Sequence, residues 1–100
     1  MRTRLMTPEL QKKAPPLGAT EDECDPVAIA RFFTPDSCWR WYLCEYDPET
    51  REAFGLVQGM EEELGLFNLS ELESIRGPLG KFIERDPTWK PRRISEVKWS

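Results

Sequence analysis

Turn signals crowd the chain between residues 34 and 59, leaving room only for short strands that double back. Thr34-Pro35-Asp36-Ser37 has proline at the second turn position and aspartate at the third, the chemistry of a type I turn. Asp47-Pro48-Glu49-Thr50 repeats that chemistry, and Gly59 punctuates the chain again. The strand-like runs between them are Val27–Phe33, Cys38–Tyr46, Glu52–Gln58 and Glu62–Leu69. Parallel pairing would need crossovers of about a dozen residues or more, so these runs predict an antiparallel meander.

Alternation along each run sorts its side chains between the two faces. Trp39, Trp41 and Leu43 fall on one face; Cys38, Arg40, Tyr42, Cys44 and Tyr46 fall on the other. In the third run Phe54 and Leu56 oppose Ala53, Gly55 and Val57. In the fourth, Leu64 and Leu66 oppose Gly65, Phe67 and Leu69. Neither face is cleanly polar, so both are expected to be at least partly covered.

Two helices flank the meander. Thr7-Pro8-Glu9-Leu10-Gln11-Lys12-Lys13 starts on a capping hydroxyl with proline at the first helical position, and Pro15-Pro16 stops it. Ser70 and Glu73 have the spacing of a capping box, which predicts a helix from Ser70 to Arg76. Gly77 then suits a left-handed cap, and Pro78 forbids continuation. Residues 14–26 form a Pro- and acid-rich loop, and residues 1–6 are expected to be disordered. Residues 77–100 form a Gly- and Pro-punctuated basic tail packing on the sheet, with Ile94 to Trp99 as a last short strand or helix. The expectation is a single α+β domain: a roughly four-stranded antiparallel β-meander, an N-terminal helix, and a short capped helix after strand four.

Composition narrows the chemistry. The 100 residues include no histidine, which removes Ser-His-Asp and Cys-His nucleophile activation and any imidazole zinc site. There are three cysteines, Cys24, Cys38 and Cys44, with no C-x-x-C pair. Cys38 and Cys44, on one strand, would lie about 20 Å apart, beyond disulfide reach, so free thiols in a reducing cytoplasm are expected, with both acting as small buried hydrophobes. No apolar run approaches the ~20 residues of a membrane span. Charge is uneven: residues 21–63 hold three basic and twelve acidic side chains, while both flanks are net basic. The acidic block argues against wrapping of duplex DNA. Glu21-Asp22-Glu23 and Asp25 lack the spacing of a calcium loop, so neither a metal nor a cofactor is expected.

Certain strings are distinctive in their order along the chain. They are Phe32-Phe33-Thr34-Pro35-Asp36-Ser37 with Trp39-x-Trp41-Tyr42, then Gly65 to Gly80, then Ile83-Glu84-Arg85-Asp86, Trp89-Lys90-Pro91 and Ile94-Ser95-Glu96-Val97. Together they resemble a family of small bacterial and phage proteins catalogued as domain-of-unknown-function family 2958, over roughly Leu5 to Val97. The resemblance implies a setting on plasmids, phages and integrative elements, and hence an accessory role in element maintenance or defence evasion. It implies no catalytic residue.

Two binding surfaces compete. Glu61, Glu62 and Glu63, with Arg40, Tyr42 and Tyr46, are candidates for engaging a host or element-encoded protein. Trp39, Trp41 and Trp89, with Arg92 and Arg93, are candidates for stacking and clasping single-stranded nucleic acid. Glu45, Asp47 and Glu52 could converge with Glu61–Glu63 as a carboxylate pair, but no apolar pocket in the local sequence would raise a pKa for catalysis. The expected function is therefore a non-catalytic, cytoplasmic accessory protein that binds a protein partner, with single-strand binding as the alternative and an enzyme last.

Overall fold

The computed structural model describes residues 5–97. Helix α1 (Pro8–Lys13) is capped as expected: the Thr7 hydroxyl accepts the Leu10 N–H, and Lys12 and Lys13 end the helix where its dipole favours cations. Leu5 and Met6, ahead of the cap, are buried in the core rather than disordered; residues 1–4 of that expected disordered stretch lie outside the described residues.

The first run divides in two. β1 (Val27–Ala28) peels away to pair with a later strand, while β2 (Ala30–Phe33) pairs antiparallel with β3 (Arg40–Asp47). β4 (Glu52–Gln58) and β5 (Glu62–Asn68) complete the meander. β6 (Glu84–Arg85) adds to β2, giving a five-stranded antiparallel sheet ordered β5-β4-β3-β2-β6. β7 (Arg92–Arg93) pairs with β1 in a separate two-stranded ladder, and Ile94–Glu96 forms a 3-10 turn. The fold is thus the expected α+β arrangement, with a fifth strand recruited from the tail. Trp99, the end of the last expected element, lies outside the described residues.

Helix α2 (Leu69–Ser74) begins one residue earlier than expected, and its cap differs. Asn68 is the N-cap, its side chain accepting the N–H groups of Ser70 and Glu71. That frees Ser70 and Glu73 for longer-range contacts. Gly77 is not a left-handed cap either, because the helix has already ended at an extended Ile75. A glycine is required there by proximity: a Cβ at Gly77 would overlap the Asp36 carboxylate.

A β-bulge redistributes strand β3. Leu43 faces Gly55 and Glu45 faces Phe54, so Cys44 has no cross-strand partner. The extra residue resets the alternation. Tyr46 consequently joins the face of Trp41 and Leu43, opposite to its expected side, while Cys44 stays with Tyr42. The strands close tightly over Gly55, where a Cβ would overlap the Tyr42 carbonyl.

Both faces are covered. On one, Trp41, Leu43, Phe32 and Tyr46 pack beneath Leu69 and Leu72 of α2, Leu5 and Ile83. On the other, Tyr42, Cys44 and Leu56 pack beneath Ile94, Trp89 and Val97. Among the described residues no helix is long and apolar enough to cross a membrane.

Candidate functional site

The turn after β2 projects Trp39 from one end of the sheet. The turn is closed by Ser37 N–H donating to the Thr34 carbonyl and Thr34 N–H donating to the Trp39 carbonyl. The Trp39 indole stacks on Trp41, with ring centroids 5.9 Å apart and planes 26° apart. It also lies across Gly59, where a Cβ would intrude into the ring. Trp41 is buried at 7% exposure, but Trp39 remains 39% exposed. The pair forms a shelf with one ring as base and the other as lip.

A hollow opens on each side of that lip. One, of about 390 Å³, is lined by Thr34, Ser37, Trp41, Ile75, Arg76 and Pro78. The other, of about 360 Å³, is lined by Val57, Met60, Glu61 and Glu63. Met60 stands 90% exposed at the tip of the β4–β5 turn. Singly exposed apolar side chains need no explanation, but Trp39, Met60 and Ile75 border adjoining hollows.

The first hollow has a firm frame. One carboxylate oxygen of Asp36 accepts the backbone N–H groups of Leu79, at 2.7 Å, and Lys81, at 3.4 Å. The other carboxylate oxygen is buried against Gly77 with no hydrogen-bond donor among the described residues. Gly77 and Lys81 close the loop by a backbone hydrogen bond, Gly80 turns it at φ 81°, and Arg76 lies over the Phe82 ring. The two most distinctive strings of the sequence, around Thr34–Ser37 and Gly77–Gly80, are therefore bolted together beside Trp39.

The candidates named from sequence scatter. Glu61 and Glu63 line the second hollow, whereas Glu62 lies on the other face and accepts a hydrogen bond from the buried Gln58 amide. Arg40 is partly buried in the row facing Gln58. Tyr42 and Tyr46, expected on a working face, are core residues; Tyr46 is held inward by the Arg51 guanidinium donating to its hydroxyl. Trp89 is separated from Trp39 and Trp41 by the sheet. It packs on Tyr42, donates its indole N–H to the Ala28 carbonyl, and lies under Arg92. Arg93 donates to the Asp25 carbonyl. Of the nucleic-acid candidate set, Trp39 and Trp41 thus stand on one face, and Trp89 with the arginines on the other.

The carboxylates do not converge. Asp47 and Glu52 pair at one end of β4 and Glu62 pairs with Gln58 at the other, about 20 Å away along the strand. Glu45 is buried and accepts from the N–H groups of Gly18 and Thr20 and from the Thr20 hydroxyl. Burial would raise its pKa, but those hydrogen bonds prevail and hold it below the usual carboxylate range. Glu45 is an anchor for the 15–23 loop. Among the described residues no group of three His, Cys, Asp or Glu is placed to hold a metal. Cys24 is exposed, and so is Cys38, which was expected to be buried. Cys44 is buried, and desolvation, reinforced by Glu45, Glu23 and Asp25, pushes its thiol up to about 12, which suppresses the nucleophilic thiolate.

The sequence reading missed Asp36, Met60, Ile75 and Pro78. Asp36, Ile75 and Pro78 lay within the distinctive strings, and Met60 was visible as a large apolar residue in a turn between two strands. A family model described as "Protein of unknown function (DUF2958)" matches residues 2–97. No curated protein and no solved structure matches the chain.

Proposed function

The chain belongs to the DUF2958 family, and we propose that it is a non-catalytic, cytoplasmic accessory protein that binds a protein partner on the Trp39 shelf. The observation that carries this reading is a large indole left 39% exposed between two hollows, on a frame fixed by Asp36. Tryptophan seated among well-packed neighbours is the residue type most enriched at interface hot spots. Glu61 and Glu63 on one side favour a partner that brings lysine or arginine around an apolar anchor. The resemblance that led to the family points to a plasmid, phage or integrative element as the setting, and to a host protein as the partner.

The test is affinity capture from bacterial lysate with the wild-type chain, Trp39→Ala, and the double charge reversal Glu61→Lys/Glu63→Lys. A partner retained by the wild type and lost from both folded variants is expected. Recovery of the same proteins by all three chains overturns the assignment. In parallel, oligonucleotide titrations across a salt series should leave tryptophan emission flat. Salt-sensitive quenching that Trp39→Ala abolishes would move the function to single-strand binding.

A further inference from the structure

The far edge of the sheet carries a second surface, independent of Trp39. Strand β5 is terminal in the strand order and seven residues long, and no strand among the described residues pairs with its outer side. Edges of this kind are usually blunted by charge or shortness. Here the glutamates occupy only the first two positions, and the middle of the strand reads Leu64-Gly65-Leu66. Leu64 is 43% exposed and Leu66 65% exposed. Both border a groove of about 520 Å³ whose apolar lining continues through Phe54, Leu17 and Pro26, with Glu21, Glu23 and Glu45 also in its wall.

Backbone parity fixes which groups this edge offers. At one end of the β4–β5 ladder the Gly59 N–H donates to the Glu61 carbonyl; at the other the Leu69 N–H donates to the Arg51 carbonyl. The register between them is unbroken, so the odd-numbered residues of β5 turn their polar backbone groups toward β4. The even-numbered ones, Glu62, Leu64, Leu66 and Asn68, turn theirs outward.

We propose that β5 pairs antiparallel with β5 of a second copy of this chain, about a two-fold axis at Gly65. This register pairs every residue of the strand. Leu64 then faces Leu66 of the other copy in both directions, and four leucines meet beside the two Phe54 rings. Glu62 faces Asn68, and Glu63 faces Phe67, so no glutamate faces another. The two Glu62 residues lie six positions apart along the seam, about 20 Å, well beyond the roughly 8 Å Debye length at physiological salt. The strand's own glutamates therefore do not oppose this contact; Glu21 and Glu23, which line the groove beside the leucines, do, and salt screens them. Gly65 meets its own copy at a pair without hydrogen bonds, where Cα atoms approach to about 4.5 Å. Space for that approach exists, since nothing lies within 4 Å of a Cβ built at Gly65. The product is a continuous ten-stranded sheet.

Sedimentation analysis of the full chain over a wide concentration range should show a monomer–dimer equilibrium. Leu66→Glu, at an exposed position, should weaken it roughly 100-fold or more while leaving the thermal midpoint of the dilute monomer nearly unchanged. The register is read by cross-linking in a Cys24→Ser/Cys38→Ser background. Gly65→Cys should form an intermolecular disulfide under mild oxidation. Glu63→Cys should not, because its two copies lie four positions apart along the seam, about 13 Å, beyond disulfide reach. A monomer at every concentration overturns the proposal and leaves the edge for a strand from another protein. Equal cross-linking at the two positions, or a dimer that Leu66→Glu leaves intact, overturns it as well. None of these readouts involves Trp39, so the outcome is separable from that of the partner-capture experiment.

Discussion

At the Asp47–Thr50 end of the central hairpin, Arg51 closes the sheet with charge. Its guanidinium grips Glu73 at both oxygens, at 2.8 and 2.7 Å, and also donates to Tyr46 and Ser70. Glu73 accepts the Leu5 N–H as well, so one buried carboxylate joins the hairpin, helix α2 and the N-terminal segment. At the Trp39–Gly59 end, the Gln58 amide donates to Glu62 and to the Val97 carbonyl on the far face, while the near face carries the Trp39 shelf. Trp39, Met60 and Ile75 remain open there. The two ends belong to one pair of strands, yet one is sealed by matched polar groups and the other leaves apolar side chains open beside Glu61 and Glu63 on a rigid frame. A sealed end cannot release its charge partners without leaving a buried group unpaired. An open apolar end keeps surface in reserve, at about 25 cal/mol per Å², for whatever covers it.

The largest expected effect lies at the sealed end. Glu73→Ala strands Arg51 and the Leu5 N–H together and should cost about 3 kcal/mol, read as a lower urea midpoint. The Glu73 side chain is 8% exposed and that of Arg51 32%, so part of the guanidinium can rehydrate, which keeps the cost toward the low end. Arg51 bears on the same point. It holds φ at 62°, a left-handed conformation unfavourable for a side-chain-bearing residue, and its pKa is raised by the hydrogen bond to Glu73 despite burial. If Glu73→Ala cost no more than Trp39→Ala, the contrast between the ends would fail.

Next in size is the frame of the open end. Asp36→Ala removes the acceptor for two backbone N–H groups and should cost about 1–2 kcal/mol. Amide exchange should speed up over residues 76–82, while the amides of α2 stay protected until global unfolding. Uniform loss of protection would mean that the loop and the shelf are not a separate unit.

Acid adds a second test, because a buried carboxylate with a lowered pKa holds the loop over β3. Glu45 has a folded pKa below its ordinary 4.5, so its stabilisation is full above that value and is lost as pH falls through the lowered one. Glu45→Gln should therefore cost about 1 kcal/mol near neutral pH and less in acid, flattening stability against pH on the acid side.

These contrasts also show which features were readable beforehand. The meander was legible because proline-containing turns cut the chain into runs too short for anything else. Helix α1 was legible because its cap, its proline and its stop are all local. Tyr42, ahead of the bulge, lies on the side that alternation predicted, but the side of Tyr46 was not legible: one unpaired residue at Cys44 rotates everything after it, and a bulge leaves no mark in a pattern of alternation. The capping box at Ser70 and Glu73 was misread because Asn68 could cap the helix as well. Arg51, distant in sequence, then claimed the glutamate. The shelf was half legible. Trp39 and Trp41 stood out, but which of them was lip and which was base depended on Gly59 and on the Asp36–Gly77 contact, both products of tertiary packing.

The smallest expected effect on stability falls on the residue given the largest role in binding. Trp39→Ala gives up one stacked aromatic contact and some apolar cover for Trp41, and should cost about 1 kcal/mol. A core tryptophan truncated in the same way would cost roughly 3–5 kcal/mol. Trp41→Ala is the paired measurement, since the two rings differ mainly in burial. A large cost at Trp41 beside a small one at Trp39 would mean that the fold uses one ring and spares the other. Equal large costs would make Trp39 part of the core, and the open end would then be as sealed as the end that Arg51 closes.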